Sequence, residues 1–205
     1  MTQRLFLTSV GLSALPKFVL KPLTDLKVGF IPTAADPYED KWFVDIDRKK
    51  LQEFGVKLIE IDLKNTNKNA LRTKLNDIDM IYVAGGNTFY LLEKMQESGF
   101  DELIKEYVQK GVIYVGASAG AVVVCPTIEP LQDLDDPSKA SHLISYNALN
   151  LIDFIVLSHY GKEKYKEKYE KLVNTYKNKG YKIIGLRDDQ AIVVNGLQYD
   201  VIDSE

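Results

Sequence analysis

Short apolar runs alternate with stretches of helical period along most of the chain. Residues 4–9 and 28–32 read as strands, and 15–26 as a partly helical connection broken by Pro16 and Pro22. Within 42–54, Trp42, Phe43, Ile46, Leu51 and Phe54 recur close to helical period, and Gly55 can cap that helix. Residues 57–61 read as a strand, 69–75 as a helix, and 79–84 as a strand that ends in Gly85-Gly86. Helices follow at 88–97 and 100–110, with Ser98-Gly99 between them and Gly111 after the second. The run 112–115 is a further strand, and 121–124 can continue as a helix. This alternation predicts an α/β fold, doubly wound, with a mostly parallel sheet and helices on both faces.

The pattern changes after residue 125. Residues 126–141 carry Pro130, Pro137, Asp133, Asp135 and Asp136 and read as a loop. Residues 151–158 form another strand. From Lys162 to Lys179 there are seven lysines and three glutamates, while Tyr165, Tyr169, Leu172, Val173 and Tyr176 keep helical spacing. That describes an amphipathic helix with a solvated basic face, not a binding patch. Residues 183–186, 191–195 and 198–202 can close the fold, and Asn195-Gly196 between two apolar runs signals a hairpin. No repeat, low-complexity segment or linker interrupts the 205 residues, so one domain spanning 1–205 is expected.

Charge and composition narrow the function classes. A formal net charge of -3 gives no electrostatic case for nucleic acid or an anionic membrane. No run of about 18 apolar residues suggests a membrane span, and the N-terminus lacks a signal pattern, so a cytoplasmic protein is expected. Cys125 is the single cysteine, which excludes an intrachain disulfide and a thiolate metal cluster. Beside Pro126 it reads as a small apolar filler.

The chemistry-bearing segment is Tyr114-Val115-Gly116-Ala117-Ser118-Ala119-Gly120-Ala121. A serine between two glycines at a strand-to-helix turn is the nucleophile-elbow pattern. The glycines permit a tight turn that lifts Ser118 out of the sheet, and the Ala119 amide is then placed to hold a developing oxyanion. A serine needs a base, and the chain has two histidines. His142 lies in a polar stretch, whereas His159 directly follows the apolar strand ending at Ser158 and sits on the sheet edge where active sites form. An acid should orient the histidine. Asp133, Asp135, Asp136, Asp153, Asp188 and Asp189 are all candidates, and spacing does not choose among them. Gly85-Gly86-Asn87-Thr88 reads as a second close-approach turn, with Gly86 supplying an oxyanion amide and Asn87 capping the next helix. It lacks the third glycine of a dinucleotide fingerprint and the lysine of a phosphate loop, so neither NAD nor ATP is inferred.

Taken together these segments resemble the peptidase E family, the aspartyl dipeptidases of peptidase family S51. The resemblance rests on Phe30-Ile31-Pro32 with Ala34-Ala35, on Ala84-Gly85-Gly86-Asn87-Thr88-Phe89, and on the elbow through Cys125-Pro126-Thr127-Ile128. It covers nearly the whole chain and extends to cyanophycinases and, more distantly, to class I glutamine amidotransferases, whose elbow nucleophile is cysteine. The resemblance implies a class I glutamine-amidotransferase-like fold, with Ser118 as nucleophile and His159, in Ser158-His159-Tyr160, as base. It implies Asp133 as the acid, through the family's Asn-Asp-Met-Pro segment, with Asp188 in Gly185-Leu186-Arg187-Asp188 as the rival. Gly86, Ala119 and Asn87 are the expected oxyanion and substrate-binding groups. The implied activity is hydrolysis of short peptides, dipeptides with an N-terminal aspartate in particular, with no metal or organic cofactor. The chain departs from the family in Gln132-Asp133-Leu134 and in Tyr160, and no arginine matches the cation that an aspartyl side chain requires, Arg187 being a loose match. A cyanophycinase-like hydrolase of aspartyl-linked substrates and a catalytically silent small-molecule or peptide-binding protein on the same scaffold are the competing readings, and the expected partner is a short peptide, with the chain a monomer or homodimer.

Overall fold

The computed structural model describes residues 3–205. Nine strands are present among them: β1 Arg4–Thr8, β2 Lys27–Ile31, β3 Lys57–Glu60, β4 Met80–Val83, β5 Ile113–Ala117, β6 Phe154–Ser158, β7 Lys182–Leu186, β8 Gln190–Asn195 and β9 Gln198–Asp203. Seven helices connect them: α1 Leu15–Val19, α2 Trp42–Glu53, α3 Lys68–Leu75, α4 Thr88–Ser98, α5 Phe100–Gln109, α6 Ala119–Val122 and α7 Lys166–Asn178. Seven strands form one sheet in the order β3-β2-β4-β5-β1-β8-β9. The pairs from β3 to β1 are all parallel, and β8 joins β1 antiparallel.

Alternation along the strands sorts the core into two layers, because successive side chains leave opposite faces. Leu5, Leu7, Ile31, Ile81, Val83 and Tyr114 point to one face and meet α3, α4, α5, α6 and β6. Phe6, Val28, Phe30, Met80, Tyr82 and Val115 point to the other and meet α1 and α2. The inner parallel strands β1, β2, β4 and β5 are buried on both faces, which is why they read as continuous apolar runs. Phe30 and Tyr82 stack on the α1/α2 side with ring centroids 5.4 Å apart.

Two features of the second half differ from the linear reading. The strand predicted over 151–158 begins at Phe154. The run at 183–186 does not close the main sheet; as β7 it pairs parallel to β6 in a separate two-stranded sheet. The stretch 126–141 is not featureless either. It carries 3₁₀ turns at Glu129–Asp133 and Pro137–Lys139, the second capped by the Asp136 carboxylate on the Ser138 amide. The Asn195-Gly196 hairpin forms between β8 and β9, with Gly196 at φ 64°. Cys125 is fully buried and its Sγ accepts from the Val156 amide at 3.2 Å. Burial pushes its thiol up to about 12, so it stays protonated and serves packing. No helix among the described residues is long and apolar enough to cross a membrane.

Candidate active site

The carboxyl ends of β1, β4, β5 and β6 converge on one edge, the expected location of a site in such a sheet. Ser118 follows β5 directly, at φ 49° and ψ -108°. Such a conformation costs a non-glycine residue about 1–3 kcal/mol, and the surrounding turn enforces it. Both elbow glycines are sterically required. A Cβ on Gly116 would lie 2.3 Å from the Gly120 carbonyl oxygen, and one on Gly120 would lie 2.2 Å from that of Val83. The Tyr114 hydroxyl donates to the Gly120 carbonyl at 2.7 Å, and the Ser118 amide donates to the Thr8 carbonyl at 2.8 Å. The turn is thereby tied to its own strand and to β1.

Ser118 Oγ lies 3.1 Å from His159 Nε2. His159 Nδ1 lies 2.6 Å from Asp188 Oδ1. With the Nδ1 proton directed at that carboxylate, Nε2 is left as the acceptor for the serine hydroxyl. His159 also has a positive φ, 62°, at the end of β6. Its backbone is pinned by Ser9, whose hydroxyl accepts from the His159 amide at 3.0 Å and donates to the Leu186 carbonyl at 2.8 Å. The Tyr160 amide reaches the same carbonyl at 3.0 Å, and the Tyr169 hydroxyl donates to the Ser158 carbonyl. Buried Ser9 thus joins the ends of β1, β6 and β7 beneath the imidazole.

Asp188 takes its second oxygen to Lys162 Nζ at 2.6 Å. Desolvation works to raise its pKa, but hydrogen bonds from Lys162 and His159 outweigh it and hold the carboxyl below its ordinary range. It is therefore ionised wherever the imidazole could serve as a base.

The acid placed first by the family segment, Asp133, is not in this chain of contacts. It is the exposed last residue of a 3₁₀ turn, where its carboxylate pairs with Lys171 at 3.3 Å and its carbonyl accepts from Lys168 at 2.7 Å. The carboxylate beside the histidine is Asp188, because β7 pairs with β6 through Ser158 and Leu186 and delivers the residues after both strands to the same point. His142 pairs with Glu97 at 3.4 Å on an exposed surface. Glu93, Glu97 and His142 have ligand-type atoms within 4.8 Å of one another, but Lys94 already bridges both glutamates, at 2.8 and 2.7 Å.

Gly86 lines the cleft facing Ser118, at φ 145°. A Cβ there would sit 2.1 Å from the Ala34 carbonyl oxygen, so glycine alone fits. Neither the Gly86 nor the Ala119 amide has a backbone acceptor among the described residues. Asn87, expected among the substrate-binding groups, is instead committed to the turn. Its side-chain oxygen accepts from the Tyr90 amide at 2.8 Å, and its nitrogen donates to Asp135 Oδ1 at 3.0 Å and the Asp136 carbonyl at 2.9 Å. Asp135 in turn accepts from the Thr88 amide at 2.6 Å, completing the α4 N-terminus. Arg187 pairs with Asp189 at 2.9 Å and does not line either cleft beside Ser118.

Two clefts meet at Ser118. One, of about 320 Å³, has Val10, Tyr38, Trp42, Phe43 and Ile46 as walls and Asp47 deeper in. The other, of about 200 Å³, runs over Thr88, Asp135, Tyr165 and Tyr169. Ser9, Lys162 and Asp47 are site residues that the sequence did not single out. A buried serine one residue past a strand end is the only local signal, and it is weak.

Comparison with known proteins places the chain in a family. The description of peptidase family S51 matches residues 9–202. An uncharacterized peptidase of Listeria monocytogenes is 38% identical over 196 residues, 95% of each chain. A protein of Drosophila melanogaster named probable alpha-aspartyl dipeptidase is 30% identical, over 82% of this chain and 68% of its own. A crystal structure from Listeria monocytogenes, described as a candidate peptidase E protein, superposes with a TM-score of 0.90 at 36% identity over the full length of both chains. The chain belongs to peptidase family S51.

Proposed function

We propose that this peptidase is of the serine type and hydrolyses short peptides through Ser118, His159 and Asp188. The observation that carries the reading is the continuous chain of contacts from Ser118 Oγ through the imidazole to Asp188, at 3.1 and 2.6 Å. His159 Nε2 takes the hydroxyl proton as Ser118 Oγ attacks the scissile carbonyl. The imidazolium so formed is stabilised by Asp188 and then protonates the leaving amine. The Gly86 and Ala119 amides flank the attacked carbonyl and hold its oxyanion. Water repeats the sequence to release the acyl group from Ser118. A silent binding protein would have no use for two positive-φ residues, Ser118 and His159, held against each other.

An N-terminal aspartate as substrate would need a cation for its side chain. Lys162 lines the larger cleft and is engaged by Asp188, and neither a lysine nor an arginine lines the smaller one. The reading is therefore of a short-peptide peptidase, with aspartyl substrates as one arm of its test. Release of free amino acids is measured from Asp-X, Ala-X, Glu-X and Lys-X dipeptides with wild type and Ser118→Ala in parallel. Cleavage that disappears in the variant is the expected result. Equal cleavage by both proteins would overturn the assignment of Ser118.

A further inference from the structure

The larger cleft beside Ser118 joins two features that are each unusual. Its walls are apolar groups left in solvent: Trp42 is 60% exposed, and Val10, Tyr38 and Ile46 about 40%. Clustered exposure of that kind marks a binding surface. Deeper in the same cleft stands a carboxylate. Asp47 lies one turn along α2 from Phe43 and is 7% exposed. No lysine or arginine nitrogen lies within 4 Å of it among the described residues. The Tyr82 hydroxyl stands beside it, buried and closing no hydrogen bond of normal geometry.

A buried carboxylate with no cation beside it, next to a buried hydroxyl without a partner, is expensive to keep, and packing alone does not call for it. Burial raises the Asp47 carboxyl to about 6, against the relief offered by Tyr82 and Lys50. The other carboxylate lining a cleft beside Ser118, Asp135, is not in this condition. It already accepts from Thr88, Asn87 and Asp136. Lys162, at the cleft rim, is held by Asp188 and does not reach Asp47.

A carboxylate that shares a cleft with aromatic rings is a receptor for a cation. The ion pair gains strength where water is excluded, and the rings attract the same charge through their faces. We propose that this cleft is the subsite for a basic side chain, a lysine ammonium or arginine guanidinium, on a residue flanking the scissile bond. Asp47 is its counter-ion, and Trp42, Phe43 and Tyr38 enclose its methylene stem. The proposal deepens the serine-peptidase reading and rests on Ser118 as the attacking group.

The test is calorimetric titration of the Ser118→Ala protein, which binds peptide without turning it over. Lys-Ala and Ala-Lys are compared with norleucine-Ala and Ala-norleucine, which keep the stem and lack the charge. One lysine peptide should bind at least tenfold more tightly than its norleucine counterpart, and its position identifies the side of the bond served. Adding Asp47→Asn should bring the pair to equal affinity. Adding Trp42→Ala should weaken both, the lysine peptide more. Equal affinities before Asp47 is changed, a lysine preference that survives Asp47→Asn, or no binding of any of the four would each overturn the proposal. Because no nucleophile is involved, this outcome is independent of catalysis. Lysine preference without Ser118-dependent cleavage by wild type would instead count against the peptidase reading.

Discussion

Replacing Asp47 by asparagine should make the protein more stable at neutral pH. The carboxyl is raised from its ordinary value of 3.8 to about 6, chiefly by burial. For an acid raised on folding, stability is fully present below the unfolded pKa and is lost as pH rises through the folded one. At about 1.4 kcal/mol per pH unit, the interval from 3.8 to about 6 sets a deficit of about 3 kcal/mol above pH 6. Asparagine is nearly isosteric, remains neutral, and can hydrogen-bond the Tyr82 hydroxyl. Urea unfolding of both proteins between pH 3.5 and 8 measures the difference. The variant should exceed wild type by about 2–3 kcal/mol at pH 7.5, and the curves should converge near pH 3.5. A variant equal to or less stable than wild type at pH 7.5 would refute the reasoning. It would mean that the carboxylate is already satisfied in the fold and is not held in reserve for a ligand.

Other changes have equally definite outcomes. Asp188→Asn should lower kcat about 10³–10⁴-fold in dipeptide hydrolysis, by favouring the wrong imidazole tautomer, while Asp133→Asn stays within about twofold of wild type; a reversed result would return the acid role to Asp133. Lys162→Met frees one Asp188 oxygen and should cost about tenfold in kcat with little change in KM, read from initial rates. Ser9→Ala leaves the His159 amide and the Leu186 carbonyl without their shared partner; thermal unfolding should show a loss of about 1–3 kcal/mol, and kcat should fall with it. Gly120→Ala forces a Cβ onto the Val83 carbonyl, so soluble yield and activity should both collapse, whereas an unchanged variant would contradict the elbow geometry.

How much of this was legible in the sequence depends on the range of the interactions involved. The β5 elbow was readable because its constraints are local: Gly116 and Gly120 must lack side chains for the turn to close on itself. The two-faced parallel sheet was readable because burial on both faces writes itself as uninterrupted apolar runs. His159 was readable from the strand before it. The acid was not, because its identity is fixed by a long-range register. Only the pairing of Ser158 with Leu186 brings Asp188 to His159, and nothing within 130–136 reveals that the Asp133 side chain faces solvent and Lys171 instead. Asp47 was invisible for a related reason. On α2 it occupies a helical position like any solvated acid, and its burial comes from packing over Tyr82 on a strand more than thirty residues away. Asn87 was read correctly as a cap, but the fact that the cap uses every polar group of the side chain needed Asp135 and Asp136 in place.

The central claim is that Ser118 is an activated nucleophile, and covalent labelling tests it most directly. A serine-reactive phosphonate is incubated with the protein and the adduct located by peptide mass spectrometry. One adduct, on the peptide containing Ser118, is the result expected. It should disappear in His159→Ala, form far more slowly in Asp188→Asn, and form at the wild-type rate in Asp133→Asn. No adduct on wild type, or labelling of Ser118 that proceeds undiminished without His159, would contradict the account.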